Sequence, residues 1–538
     1  MEASSADPQL SDVDITNDSS SIPARSKSYP ALQVSNVDQV HQKTGVAGAA
    51  SNLVNSIVGA GIIGIPFAID QAGFVAGVVL IIAVSIFTDK SLRMIVELAT
   101  QHPTLQHLGV RTFEDLMKIP YGSRWGSNFI LCSMFVLAYG AMVAYLLIIK
   151  DTVPTVLGLG NSFWHREVVM LVVSLCTLLP LSMLRDIGSL AFTSCLSVTA
   201  DVVLVILVMV FSPVQTTLEA AGGFWEAITI VDSRLFIGLG VLSTAMACQH
   251  SAFLIATSLH DTKRQWNTVT CSSLTIAGAL SLLLGATGYL GYLDEVQGDV
   301  LNNFDGGSRL VNAARGLLAV TMIFTYPMES FVARHCISQW LWGGAMDDDG
   351  EASSWWCGNK RVMVTVGLYL AALVPALIFH DLGLVLSLTG SLGASAIAYT
   401  APGLVYLGVN GEEFLDWVGV PIRTAASNEI ELPVAGDSKA VMDTTGSNGM
   451  SMPSSSRPWW WFPLLMPIWV SIASTGAHGT RAFLSDHQQQ PDTTTRFSTK
   501  RDFIWSIMFI CFGIVAAVCG LASNIFVQVH NIFFSPSR

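Results

Sequence analysis

Charge is what this sequence has least of. Only 12% of its 538 residues are Asp, Glu, Lys or Arg, while 51% are hydrophobic, and the mean hydropathy is +0.53. A soluble domain carries about 25% charged residues, so an ordinary soluble fold is excluded. The net charge of −12 argues against nucleic acid as a partner. An apolar leader is missing too. Residues 1–45 are polar and rich in Ser and Asp, and read as a disordered cytosolic tail without a signal peptide. The nine cysteines form no CxxC or Cys/His spacing, so no structural zinc is expected. Cys336 and Cys357 are the two that fall outside apolar segments, on a side where thiols stay reduced. No Walker-type loop is present, and no nucleophile–base pair stands at a recognisable spacing. An enzyme is therefore not expected, nor an organic cofactor.

What is present is a series of apolar segments near 46–69, 73–96, 126–149, 167–184, 189–211, 235–259, 268–292, 309–333, 361–379, 383–407 and 502–527. Each can cross a hydrocarbon core roughly 30 Å thick as a helix. Runs such as "VVLVILVMVF" (202–211) lack the alternation of barrel strands. The fold class is thus all-α and integral to a membrane, with eleven spans. A core over 46–407 is followed by a polar cytosolic linker over 408–501, a last helix over 502–527 and a short outer tail over 528–538. Within the linker, 459–471 ("WWWFPLLMPIWVS") is short, holds Pro463 and Pro467 and opens on three tryptophans, which favour the headgroup zone. It reads as an interfacial piece.

Lys and Arg set the orientation. With the N-terminus inside, the outer side holds only Lys150, Arg166, Arg234, Arg309 and Arg538. The other basic residues, Arg315 within span eight aside, fall on the cytosolic side, as the positive-inside rule requires. The C-terminus is then outer or lumenal. The acids concentrate in the tail and the cytosolic loops and say little about substrate.

One stretch breaks the pattern of its own helix. "NSIVGAGIIGIPFA" (55–68) carries Gly59, Gly61, Gly64 and Pro66 inside span one. Glycine and proline cost a helix about 1 and 3 kcal/mol relative to alanine. Two readings compete. Small residues permit close helix packing. Alternatively, a helix broken inside the bundle exposes main-chain groups to substrate and ions, as secondary transporters do. Asn55-Ser56 just before the cluster and Pro66 after it favour the binding site. A receptor or sensor has less reason to break its spans.

"NLVNSIVGAGIIGIPFAIDQAGF" (52–74) resembles the first membrane helix of the amino acid/auxin permease family, in the branch of sodium-coupled neutral amino acid transporters. "LPLSMLRDIGSLAFTS" (179–194), "GYL" (288–290), "TYPMESFVAR" (325–334) and "DLGLVLSLTG" (381–390) agree in order. The resemblance implies a 5+5 inverted repeat of leucine-transporter type, with spans one and six broken and span eleven appended. It implies Na+-coupled symport of a small neutral amino acid, without a cofactor, by a monomer in the plasma membrane or a vacuolar or endolysosomal membrane. Substrate would meet Ser56, Gly59, Ala60 and Gly61 in span one and Ser243 and Thr244 in span six. Na+ would be held by Asn55 with Thr321 or Thr325 of span eight, hard oxygen donors suited to that ion; back-bonding within their own helix is the other use for such hydroxyls. Span six carries Cys248-Gln249-His250-Ser251 where the family shows a Cys-His-His-Asn-like run, so substrate preference need not carry over.

Asp201, midway along span five in "SVTADVVLVILV", stands outside the pattern. A central acid must face a partner or water, or be protonated. It is either a coupling acid or a buried acid bonded to serines or threonines. Arg315 and Glu329 read as snorkelling residues near the ends of span eight. His380-Asp381 reads as a polar outer turn. Proton coupling of the vacuolar type, and an amino acid sensor that transports little, are the alternatives to sodium symport.

Overall fold

Where no water can pair backbone N–H and C=O groups, a helix satisfies them within itself. The computed structural model describes residues 44–59, 61–103, 105–110, 112–159, 163–183, 190–343, 360–420, 466–486 and 499–534. Of the N-terminal tail only Thr44 and Gly45 are therefore described, and Ala60 and 421–465 lie outside the described residues.

The chain runs through α1 (Val46–Val58), α2 (Ile65–Ala72), α3 (Phe74–Gln101), α4 (Phe113–Tyr121), α5 (Asn128–Val156), α6 (Phe163–Val173), α7 (Leu179–Ser182), α8 (Leu190–Phe211), α9 (Val214–Ala220), α10 (Phe224–Ala227) and α11 (Leu235–Met246). There follow α12 (Gln249–Ser258), α13 (Thr262–Tyr292), α14 (Arg309–Trp342), α15 (Lys360–Ile378), α16 (Leu382–Thr389), α17 (Ala401–Val409), α18 (Gly411–Val418), α19 (Met466–Asp486) and α20 (Lys500–Phe534). Among the described residues 9 helices are long and apolar enough to cross a membrane, or up to 11 when each bent pair is taken as one span. β-structure among them is limited to one isolated bridge, Thr44 to Leu259.

Three local readings are corrected. Span eight does not stop at 333. It continues to Trp342, where Gly343 in the left-handed region ends it (φ 61). Cys336 is therefore buried in a helix rather than placed in a loop. Arg315 does not snorkel. It is buried and donates to the carbonyls of Leu301 (2.6 Å) and Phe304 (2.9 Å) and to Asn312 Oδ1 (2.7 Å). Glu329 lies well inside α14, far from either end.

The linker is also more structured than its polarity suggests. α18 and α19 both lie in it, and the described part of the 459–471 piece, from Met466 on, is the first turn of α19. α19 packs on α4, α17 and α18. Its small residues explain why. A Cβ on Gly476 would run into the Gly408 backbone, and one on Gly479 into the Pro120 carbonyl. Such backbone-to-backbone packing needs small, partly polar residues and leaves little hydropathy signal.

Candidate functional site

Two interruptions face each other. α1 ends at Val58, and Gly59 closes it by donating from its N–H to Asn55 O at 3.3 Å. The chain restarts as a tight turn, Ile62–Gly64, and then α2, with Pro66 near its first turn, where the missing N–H costs nothing. The two halves, Val46–Val58 and Ile62–Ala72, are bent by 48°. In span six, α11 stops at Met246, Ala247 is extended (ψ 114), and α12 begins after Cys248.

Gly61 is where the two interruptions touch. An added Cβ there would lie 2.7 Å from Ala245 Cβ, with the Ala245 backbone closer still. Only glycine admits that approach. Ser56 Oγ meets Ser251 Oγ at 2.6 Å, joining α1 to α12. Thr44, two residues before α1, makes a second tie to α12, N–H to Ser258 O at 2.9 Å and Oγ1 to Ser258 Oγ at 2.8 Å. Ser251 was missed as a partner in the sequence. Its signal is its place three residues after Cys248, to whose carbonyl its hydroxyl donates at 2.9 Å.

The remaining sequence-named residues divide. Ser243 is buried and accepts from the Tyr399 hydroxyl at 3.4 Å. Thr244 donates to Leu386 O at 2.7 Å, so its hydroxyl locks α11 to α16. Ala60 lies outside the described residues. Thr321 donates to Leu318 O and Thr325 to Thr321 O, each at 2.7 Å. Each hydroxyl proton is thus engaged with the helix, while the oxygen keeps lone pairs to offer. Asn55 sits on α1, which packs chiefly on α13 and α8; the threonines sit on α14, which packs chiefly on α5, α8 and α15. α8 is the neighbour they share, and Asp201 lies on it, 1% exposed.

At the opposite end of the bundle from Thr44 lies a charged cluster. Lys150 and Glu167 form a buried ion pair at 2.5 Å, and Lys150 also donates to Ala376 O at 3.1 Å. Arg166 pairs with Asp151, to which Asn302 Nδ2 donates at 3.0 Å. His380 stands 3.7 Å from Glu167, and Asp381 caps α16 by accepting from Gly383 N–H at 2.8 Å. Asp299 accepts from Leu301 N–H at 2.9 Å; burial, reinforced by the nearby Asp151, pushes its carboxyl up to about 7. The loop bearing Asp299 and Asn302 reaches the turn after the first interruption, since the Gly298 carbonyl lies 3.6 Å from where a Gly64 Cβ would be.

Two broken helices, brought together inside a bundle of helices long and apolar enough to cross a membrane, define an all-helical integral membrane protein. A family profile described as transmembrane amino acid transporter protein matches residues 42–427. The chain belongs to that family. It is 30% identical over 376 residues to vacuolar amino acid transporter 2 of Saccharomyces cerevisiae, covering 67% of this chain and 76% of the relative. It is 30% identical over 382 residues to a Danio rerio protein named "Putative sodium-coupled neutral amino acid transporter 11", covering 69% and 80%. Among solved structures, a Na+-coupled sialic acid symporter aligns with 70% of this chain at 11% identity and a TM-score of 0.42, a likeness that carries no assignment.

Proposed function

We propose that this chain is a secondary active transporter of small neutral amino acids, with Na+ as the coupling ion. The observation that carries this reading is the contact of Gly61 with Ala245, which sets the interruption of span one against that of span six. The carbonyls at the end of α1 suit an ammonium group or a cation, and the N–H groups opening the Ile62–Gly64 turn and α12 suit a carboxylate. Ser56, Gly59, Ala60, Gly61, Ser243 and Thr244 would line the substrate. Asn55 with Thr321 or Thr325 would supply oxygen to Na+. Spans one to five and six to ten would move as inverted repeats about this point, in a monomer whose N-terminus is cytosolic.

A second reading, proton coupling, is favoured by Asp201, a buried acid whose two oxygens have no hydrogen-bond partner among the described residues. Uptake of radiolabelled alanine, glutamine and leucine into proteoliposomes, under an imposed Na+ or H+ gradient, separates the readings. Stimulation by Na+ alone supports the first and by H+ alone the second. Binding without uptake under either gradient would point to a sensor and overturn both.

A further inference from the structure

The second interruption carries a fully buried glutamine. Gln249 opens α12, and the break leaves the N–H of the preceding residue, Cys248, outside either helix. Gln249 turns back and accepts that N–H on Oε1 at 3.1 Å. Its Nε2 donates to Ser91 Oγ on α3 at 3.4 Å, and Ser91 Oγ donates to Ala398 O at 2.7 Å. Ser91 is as buried as Gln249. The direction of this chain is fixed. Ser91 has one hydroxyl proton and gives it to Ala398, so it can only accept from Gln249. The amide must then present its oxygen to Cys248.

Span ten receives the chain in a special backbone. Ala396–Thr400 winds as a π-helical turn, a form frequently found at functional sites. From it Ala398 offers its carbonyl to Ser91, and Tyr399 aims its hydroxyl at Ser243, 3.4 Å away. The Tyr399 ring is fixed by Phe87 and Phe512, with centroids 6.3 and 4.9 Å away. Ser243 precedes the break in span six, and Gln249 follows it. Two adjacent residues of span ten therefore grip span six on both sides of its interruption, one directly and one through Ser91.

Packing alone does not call for a glutamine here, since an apolar side chain of similar volume would fill the space without desolvating an amide. What the amide adds is a join between three spans at the point where span six has no helix of its own. The join has a weak point. At 2.7 Å the Ser91–Ala398 bond is short and strong, whereas at 3.4 Å the Gln249–Ser91 bond is long, and it is the one that yields first.

We propose that Gln249 is a positioning residue that latches the second interruption to spans two and ten, with its bond to Ser91 as the part that opens. Closed, the latch holds the start of α12 in place relative to Ser243 and keeps the buried Cys248 covered. Open, it frees the break from span two while Ser91 stays with span ten. The effect on solute binding rests on the transporter reading; the latch itself does not.

The test uses the full chain in lipid nanodiscs, treated with N-ethylmaleimide, with the modification of Cys248 followed over time by peptide mass spectrometry. Cys336, equally buried but on α14, is the control for general loosening. Gln249→Met keeps the volume and removes the amide; Ser91→Ala removes the middle link. In each, Cys248 should react about three- to tenfold faster relative to Cys336, the range that one hydrogen bond supplies. The double variant should react little faster than either single, because both break the same bond, and Ser91→Thr, which keeps the hydroxyl, should match the wild type. A Cys248-to-Cys336 ratio unchanged from the wild type in both single variants would overturn the latch. In proteoliposomes, the KM for alanine should rise by a similar factor while the maximal rate per protein holds. A lowered maximal rate at unchanged KM would overturn the role in holding solute. If the wild type moves no amino acid, the transporter reading fails, and the labelling ratio still decides the latch.

Discussion

The hydroxyls of Ser56 and Ser251 meet at 2.6 Å across two helix interruptions. Hydrogen bonds between membrane helices contribute about 0.6 kcal/mol on average. Ser56→Ala and Ser251→Ala should each lower thermal stability by about that amount. The double variant should lose little more than either alone, because both remove one interaction. Fully additive losses in a thermal-unfolding double-mutant cycle would show that the contact contributes nothing.

Gly61→Ala should do more damage than its size suggests. The new methyl has no room against Ala245, and overpacking costs about 1–3 kcal/mol. Amino acid uptake should fall sharply at equal surface expression. Ala245→Gly in the same protein should not restore it, because the Ala245 backbone stands closer than its methyl; full recovery in the double variant would mean that this backbone contact is not the cause.

For the sodium reading, Asn55→Ala should raise the Na+ concentration for half-maximal uptake about tenfold, the equivalent of one lost charge-assisted contact. Thr321→Ala or Thr325→Ala should do the same, and only the threonine that faces the ion should matter. Unchanged Na+ dependence in all three would remove these residues from the ion site.

Asp299 gives a pH dependence whose sign can be worked out. Its carboxyl goes from an ordinary 3.8 to about 7 in the folded protein, chiefly through burial. The folded state therefore holds a proton that the unfolded state has released. Its contribution favours folding at low pH and is lost as pH rises from about 4 through about 7. Asp299→Asn keeps the cap on Leu301 and should flatten that part of the stability–pH curve, gaining stability above pH 7. Thermal unfolding across this range checks it; a curve of unchanged slope would contradict it.

The Lys150–Glu167 pair is buried at both ends. Glu167→Gln leaves a buried cation without its counter-charge and should cost about 3–5 kcal/mol, whereas replacing both by Met and Leu should cost far less. Equal losses in the two proteins, by thermal unfolding, would argue against the pair.

The first interruption is legible in the sequence because its cause is local: Gly59, Gly61 and Pro66 act on the backbone of their own segment. The second is legible only as a run of small residues, and it falls at Ala247–Cys248, just past most of them. Asp201 stands out in sequence as an acid in an apolar run, and its burial in the bundle is set by helices that lie far away along the chain. α19 stayed hidden for a related reason. What holds it is the absence of side chains at Gly476 and Gly479, matched to Gly408 and Pro120 on other helices. Arg315 misled because a long basic chain near a helix start commonly reaches for water; here loop carbonyls reach it first.

Those glycine contacts have a mechanical consequence. Where backbone rests on backbone, there is no pliable side chain to absorb a shift. α19 is pressed in this way against both Gly408 of α17 and Pro120 of α4. It acts as a splint that joins α4, leading into the third span, to α17, at the end of the tenth. Between α1 and α12, by contrast, part of the joining is done by side chains: the Ser56–Ser251 hydroxyl pair, with Thr44–Ser258 just before α1.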